Sequence, residues 1–142
     1  LSLTAVRPYF RARLNSLGFS EWKDPFGPNE IPSTIIDRAY HIEVGTIGGV
    51  GRNNLSQEVS FGINIRVYFK GFNYPEKALD DALLKSELII KECMTVENWA
   101  TTPIKGVELD SLELEPLDNE LNDNVVFALV RFVARVNLCV ES

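Results

Sequence analysis

Residues Glu58–Phe72 read "EVSFGINIRVYFKGF" and decide the fold class. Val59, Phe61, Ile63, Ile65, Val67 and Phe69 alternate without a break with Ser60, Gly62, Asn64, Arg66, Tyr68 and Lys70. Successive side chains of a strand point to opposite faces, so this pattern predicts a long strand covered on one side and polar on the other. "NVVFALVRFVARVNLCV", Asn124–Val140, predicts a second such strand. Its even positions are wholly apolar, while Arg131, Arg135 and Asn137 enter the odd ones. Strands usually run about five to six residues, whereas these two ribbons read as about thirteen and seventeen.

Two shorter strand patterns flank them. In "RAYHIEV", Arg38–Val44, Tyr40, Ile42 and Val44 share one face and His41 and Glu43 the other. "KGVELDSLELEP", Lys105–Pro116, changes phase between Leu109 and Leu112, which predicts a bulge at Asp110 and Ser111.

Helical spacing appears twice. "TAVRPYFRARLNSLG", Thr4–Gly18, places Leu3, Val6, Phe10, Leu14 and Leu17 on one stripe and ends on a glycine suited to a left-handed cap. Arg7, Arg11 and Arg13 fall largely off that stripe. "NYPEKALDDALLKSELIIKECM", Asn73–Met94, carries Pro75 at the first helical position. Its predicted buried face is Leu79, Ala82, Leu83, Ser86, Ile89, Ile90 and Cys93, with Leu84 and Leu88 outside it, where they either widen the stripe or meet a neighbouring subunit. Residues 19–37 hold three prolines and no sustained period, and read as a long connection pinned by Trp22 and Phe26.

The expected fold is therefore α+β: a mainly antiparallel sheet of about four strands with two helices on one face, in the order α-β-β-α-β-β. Its 142 residues suit one domain, and a hydrophobic content of 45% supplies a core. The chain shows no leader pattern and no apolar run of about 18 residues, so no membrane partner is expected. A net charge of -6 argues against a general nucleic-acid clamp. One histidine and two distant cysteines, Cys93 and Cys139, make a poor metal set, and no metal or cofactor is expected.

The segment "GTIGGVGRNNLSQE", Gly45–Glu58, places four glycines within seven residues. A phosphate loop of the Walker type ends in lysine followed by serine or threonine, whereas Gly51 is followed by Arg52 and Asn53. A dinucleotide loop joins a strand to a helix, and this one joins two strands. The expectation is a flexible hairpin loop at 45–58 that orders on a partner, with Gly45, Gly48, Gly49, Gly51, Arg52, Asn53, Asn54 and Gln57 as an assembly arm. A second candidate surface is the acidic run Glu108, Asp110, Glu113, Glu115, Asp118, Glu120 and Asp123, which contains no base and would face a pore or a partner. Arg66, Arg131 and Arg135, with Leu84 and Leu88, are the candidate subunit contacts. Catalysis would have to centre on His41 beside Glu43, with no local nucleophile motif to support it.

The phrases "RPYFRARLNSLGF", "DRAYHIEVG", "VSFGINIRVYFKGF" and "ALDDALLKSELIIKE", in that order, resemble the tail terminator proteins of long-tailed bacteriophages, also called tail-completion or head-to-tail joining proteins. The resemblance spans nearly the whole chain through layout and texture, not through an invariant motif, and it carries no catalytic residue. It implies a structural virion protein of the tail and neck, assembled in the host cytoplasm. Such a protein forms a hexameric ring that caps the tail tube and ends its polymerisation. The implied partners are the tail-tube protein and a head connector or head-completion protein, and DNA passes through the lumen without specific binding. A head-completion or adaptor protein of the neck is the alternative. A small α+β enzyme or ligand-binding domain around His41 is the remaining one.

Overall fold

The alternating ribbon from Glu58 becomes an inner strand of a five-stranded sheet in a computed structural model that describes residues 3–22, 38–52, 56–70, 75–117 and 125–139. A 3-10 turn (Leu3–Ala5) leads into α1 (Val6–Ser16), β1 (Ser20–Glu21), β2 (Ala39–Arg52) and β3 (Ser56–Lys70). Then come α2 (Pro75–Met94), a short α3 (Val96–Trp99), β4 (Ile104–Leu117) and β5 (Val125–Cys139). The sheet order is β1-β2-β3-β5-β4. All ladders are antiparallel except β1 with β2, which is parallel and two residues long.

The α+β class is as expected, and two of its details are corrected. The sheet has five strands and is mixed, because Ser20 and Glu21 of the proline-rich connection add a short parallel edge. There are three α-helices among the described residues instead of two, the third a single turn after Thr95.

Burial follows the alternation. Val59, Phe61, Ile63, Ile65, Val67 and Phe69 of β3 share one core with Val126, Ala128, Val130, Phe132, Ala134 and Val136 of β5. α1 and α2 cover that face. Phe10 of α1 lies 5.5 Å from Phe132, ring centre to ring centre, and Phe19 meets Phe69 edge-on at 5.9 Å. The Tyr9 hydroxyl donates to the Cys93 carbonyl at 2.6 Å, tying α1 to α2 inside the core. From α2 the buried residues are Ala82, Ser86, Ile89 and Cys93. Leu79 and Ile90 are partly buried against them, while Leu83 is 47% exposed, contrary to its expected place in the core.

The end of α1 is fixed by Gly18 at φ +91°. Phe19 N–H donates to the Leu14 carbonyl and Gly18 N–H to the Asn15 carbonyl, each at 3.1 Å. This pair of bonds closes the helix and turns the chain so that Phe19 packs into the core beside Leu14.

The predicted bulge in β4 is present. The register with β5 shifts between Leu109 and Ser111, which leaves Asp110 without an opposite number. The phase change thereby keeps Val107 and Leu109 on one side of the bulge, and Leu112 and Leu114 on the other, opposite the core-facing residues of β5.

Candidate functional site: the open face and edges of the sheet

The glycine-rich segment is not a loop. Gly45–Arg52 is the second half of β2, and Ser56–Glu58 opens β3. Rungs continue through Gly48↔Ser60, Gly49↔Val59, Gly51↔Glu58 and Arg52↔Gln57, with register shifts between Val44 and Ile47 and between Gly49 and Gly51. Glycine is a poor strand former, which is why the sequence read as a loop. Its positions coincide with bulges, where a strand gains a residue and bends. At Gly45 a Cβ would sit 3.2 Å from the Gly62 carbonyl oxygen, so the two glycines permit a close backbone approach. Of the expected assembly arm, Asn53 and Asn54 lie outside the described residues. Gly45, Gly48, Gly49, Gly51, Arg52 and Gln57 belong to the ladder.

The face of the sheet away from the helices is built in cross-strand rows. One row runs Gly48, Ser60, Arg135, Gly106; a second runs Glu43, Asn64, Arg131, Ser111; a third runs His41, Arg66, Leu129, Glu113. The three arginines stand on the central strands β3 and β5, and each reaches to a glutamate of an outer strand. Arg66 pairs with Glu43 at 3.4 Å, Arg131 with Glu113 at 3.0 Å and Arg135 with Glu108 at 3.5 Å. Arg135 also lies 3.6 Å from Glu58. Its guanidinium rests over Gly106, where a Cβ would come within 2.5 Å of it. The expected subunit-contact arginines are thus together on one face, braced within the chain. One end of that face is apolar, with Trp22, Ala39, Tyr68 and Phe127 packed together, so Tyr68 is buried although its place in the alternation marked it as polar-facing.

The acidic run divides. Glu108, Asp110 and Glu113 are exposed on β4, and Glu115 lies further along the same strand. Asp118, Glu120 and Asp123 lie outside the described residues. Leu84 and Leu88 are 56% and 46% exposed, one turn apart on α2.

Both long outer edges of the sheet are open among the described residues. β4 pairs only with β5. β2 has β1 beside it only at Ala39 and Tyr40, so it is free from His41 onward. Where β1 stops, a cleft of about 230 Å³ opens, lined by Arg7, Arg11, Glu21, His41 and Ile42. Arg11 Nε donates to Glu21 at 3.0 Å. Its two terminal amino groups, and all of Arg7, have no partner among the described residues. His41 Nδ1 lies 3.0 Å from the Trp22 carbonyl oxygen, which can only accept, so Nδ1 carries a proton there and Nε2 has no partner among the described residues. Sequence reasoning missed this cleft because Glu21 lies in the unpatterned connection. The signal that was available is the pair Arg7 and Arg11, one turn apart and off the apolar stripe.

The titration of the buried groups is structural. Burial pushes the Cys93 thiol from 9.0 to about 12, helped by the neighbouring Glu92 carboxylate. Burial likewise raises Tyr40 to about 12, and Tyr9 and Tyr68 above their ordinary value. Cys93 lies on the helix side of the sheet and His41 on the other, so the sheet separates the histidine from this thiol. The described residues contain no group of three or more His, Cys, Asp or Glu arranged to hold a metal ion. No helix among them is long and apolar enough to cross a membrane.

Neither protein-family models nor curated proteins give a match to this chain.

Proposed function

We propose that the chain is a structural subunit of a closed ring that caps the tail tube of a long-tailed bacteriophage, ends tube polymerisation and offers a surface to the head. The observation that carries this reading is the sheet. Four strands of 14 or 15 residues lie side by side, and among the described residues the outer sides of β2 (beyond Ala39 and Tyr40) and β4 carry no further strand. At about 3.3 Å per residue such strands span about 50 Å, whereas the 20 residues of α2 span about 30 Å. A lone domain gains little from a ribbon that outreaches its covering helices, and a long unpaired edge invites another chain. Two different edges on one subunit allow head-to-tail contacts, which close into a ring when the rotation per subunit permits.

The arginine–glutamate face suits a lumen through which DNA moves. Its four acids, Glu43, Glu58, Glu108 and Glu113, outnumber the three arginines that they brace, so each of these three guanidinium groups is already matched by a carboxylate. Under this reading the protein is not an enzyme, and His41 serves structure.

The test is to mix the purified protein with polymerising tail-tube subunits. Capped tubes of limited length, with this protein at one end by electron microscopy, are expected. Free elongation of the tubes, with the protein bound to head connectors instead, would favour a neck adaptor.

A further inference from the structure

The outer surface of α2 carries a pattern that packing on the sheet does not require. Ala82, Ser86, Ile89 and Cys93 turn into the core. At about 100° per residue, the face opposite that seam is the stripe Asp80, Leu84, Leu88 and Lys91. All four are exposed. α1 lies along a different side of the helix, where Arg13 meets Glu92 at 3.2 Å. Asp80 has no ion-pair or hydrogen-bond partner among the described residues. The Lys91 ammonium has only Glu87 of its own helix, at 3.6 Å, with both side chains open to solvent.

The stripe runs acid, leucine, leucine, base, an order that is complementary to its own reverse. Two copies of α2 laid antiparallel, about a two-fold axis level with residue 86, set Leu84 of each against Leu88 of the other. Asp80 stands six residues before that level and Lys91 five after it. Across the seam the two therefore differ in height by one residue's rise, about 1.5 Å. They also lie on one side of the line through the leucines, about 20° apart around the helix, and such an axis keeps each residue on its own side. A parallel pair would instead set acid against acid and base against base. Glu87 falls at the margin of the stripe, engaged by its own Lys91.

We infer that this face of α2 pairs with the same face of a second copy of the chain, antiparallel, with the four leucines packed together and an Asp80–Lys91 ion pair at each end. Removing the leucines from water supplies the attraction. The charges fix direction and register, as flanking charges do where helices pair. The contact is isologous, one patch meeting its own copy, so it joins chains in twos and cannot itself close a ring. It goes beyond the proposed ring and does not depend on it, because head-to-tail contacts use other surfaces.

The test is sedimentation of the full chain at low salt across a concentration series, for the wild type, Asp80→Lys, Lys91→Asp and an equal mixture of these two variants. Both positions are exposed, and equal melting temperatures confirm folding. Each variant alone sets like charges against each other at both ends of the pair, so association through α2 is expected to weaken about tenfold or more. In the mixture opposite charges face each other again at both ends, and association is expected to return as a pair of unlike chains. Should a substitution lower the melting temperature, Leu84→Cys chains mixed with Leu88→Cys chains give the second measurement, an intermolecular disulfide mapped between positions 84 and 88. Association that is the same in wild type and both single variants, that fails to return in the mixture, or that leaves no such disulfide overturns the pairing. Each of these results leaves the ring reading standing, since that reading fails only if the wild type forms no closed oligomer.

Discussion

Ser86 is fully buried in α2, between Ala82 and Ile89, and its hydroxyl has no hydrogen-bond partner among the described residues. A buried hydroxyl left unsatisfied costs about 1–3 kcal/mol. Ser86→Ala removes that group and leaves a methyl in its place, so it should stabilise the fold by about 1 kcal/mol, read from urea denaturation. The alkaline side of the stability profile tests another set of residues. The Cys93 thiol ionises near 9.0 when unfolded and near 12 when folded, and the Tyr40 phenol moves from 10.0 to about 12. Above pH 9 the unfolded chain sheds protons that the folded chain keeps, so stability is full below that value and falls as pH rises towards 12. Denaturant midpoints at rising pH should decline through that window, and a flat profile would contradict the buried placement. Neither effect was legible in the sequence. Periodicity puts Ser86 and Cys93 on the buried face, but only the fold shows which groups lack a partner.

At the scale of elements, α1 depends on its terminal glycine. Gly18 holds φ +91°, and Gly18→Ala should cost about 1–2 kcal/mol, since a Cβ in the left-handed region crowds its own backbone. A Cβ there would meet Arg38 only at ordinary contact distance, so the loss is conformational and should appear as a lower melting temperature with the fold preserved. The cap was readable because glycine after an apolar stripe has one common use. The β4 bulge was readable because a strand keeps the same face buried across a change of alternation phase only by taking in an extra residue. Strands β3 and β5 matched their patterns, since each is covered on one face only. The glycine stretch deceived for a physical reason: strand preference measures side-chain packing, and Gly48, Gly49 and Gly51 have no side chain with which to signal a ladder. β1 was invisible because two residues cannot show a period. On α2 the buried line narrowed to Ala82, Ser86, Ile89 and Cys93, a single seam against the sheet, which left Leu83 beside Leu84 and Leu88 on the exposed surface.

For the whole molecule, the reading turns on why so small a chain builds a sheet with four strands of 14 or 15 residues and two edges open among the described residues. The length of β3 and β5 was legible in two long alternations, whereas β2 read as the seven residues Arg38–Val44 and runs on to Arg52. The strand order was not legible, because it depends on which strands lie between which, and that order decides which edges are open and what charge each carries. Assembly through such edges is concentration-dependent, and its charged contacts weaken as salt screens them. Native mass spectrometry of the purified chain across a concentration series tests the central claim most directly. The account predicts one closed oligomer of defined subunit number, six on the proposed reading, that dissociates at high salt or on dilution. A mass of 16.0 kDa, that of the single chain, at every concentration and at low salt would contradict it.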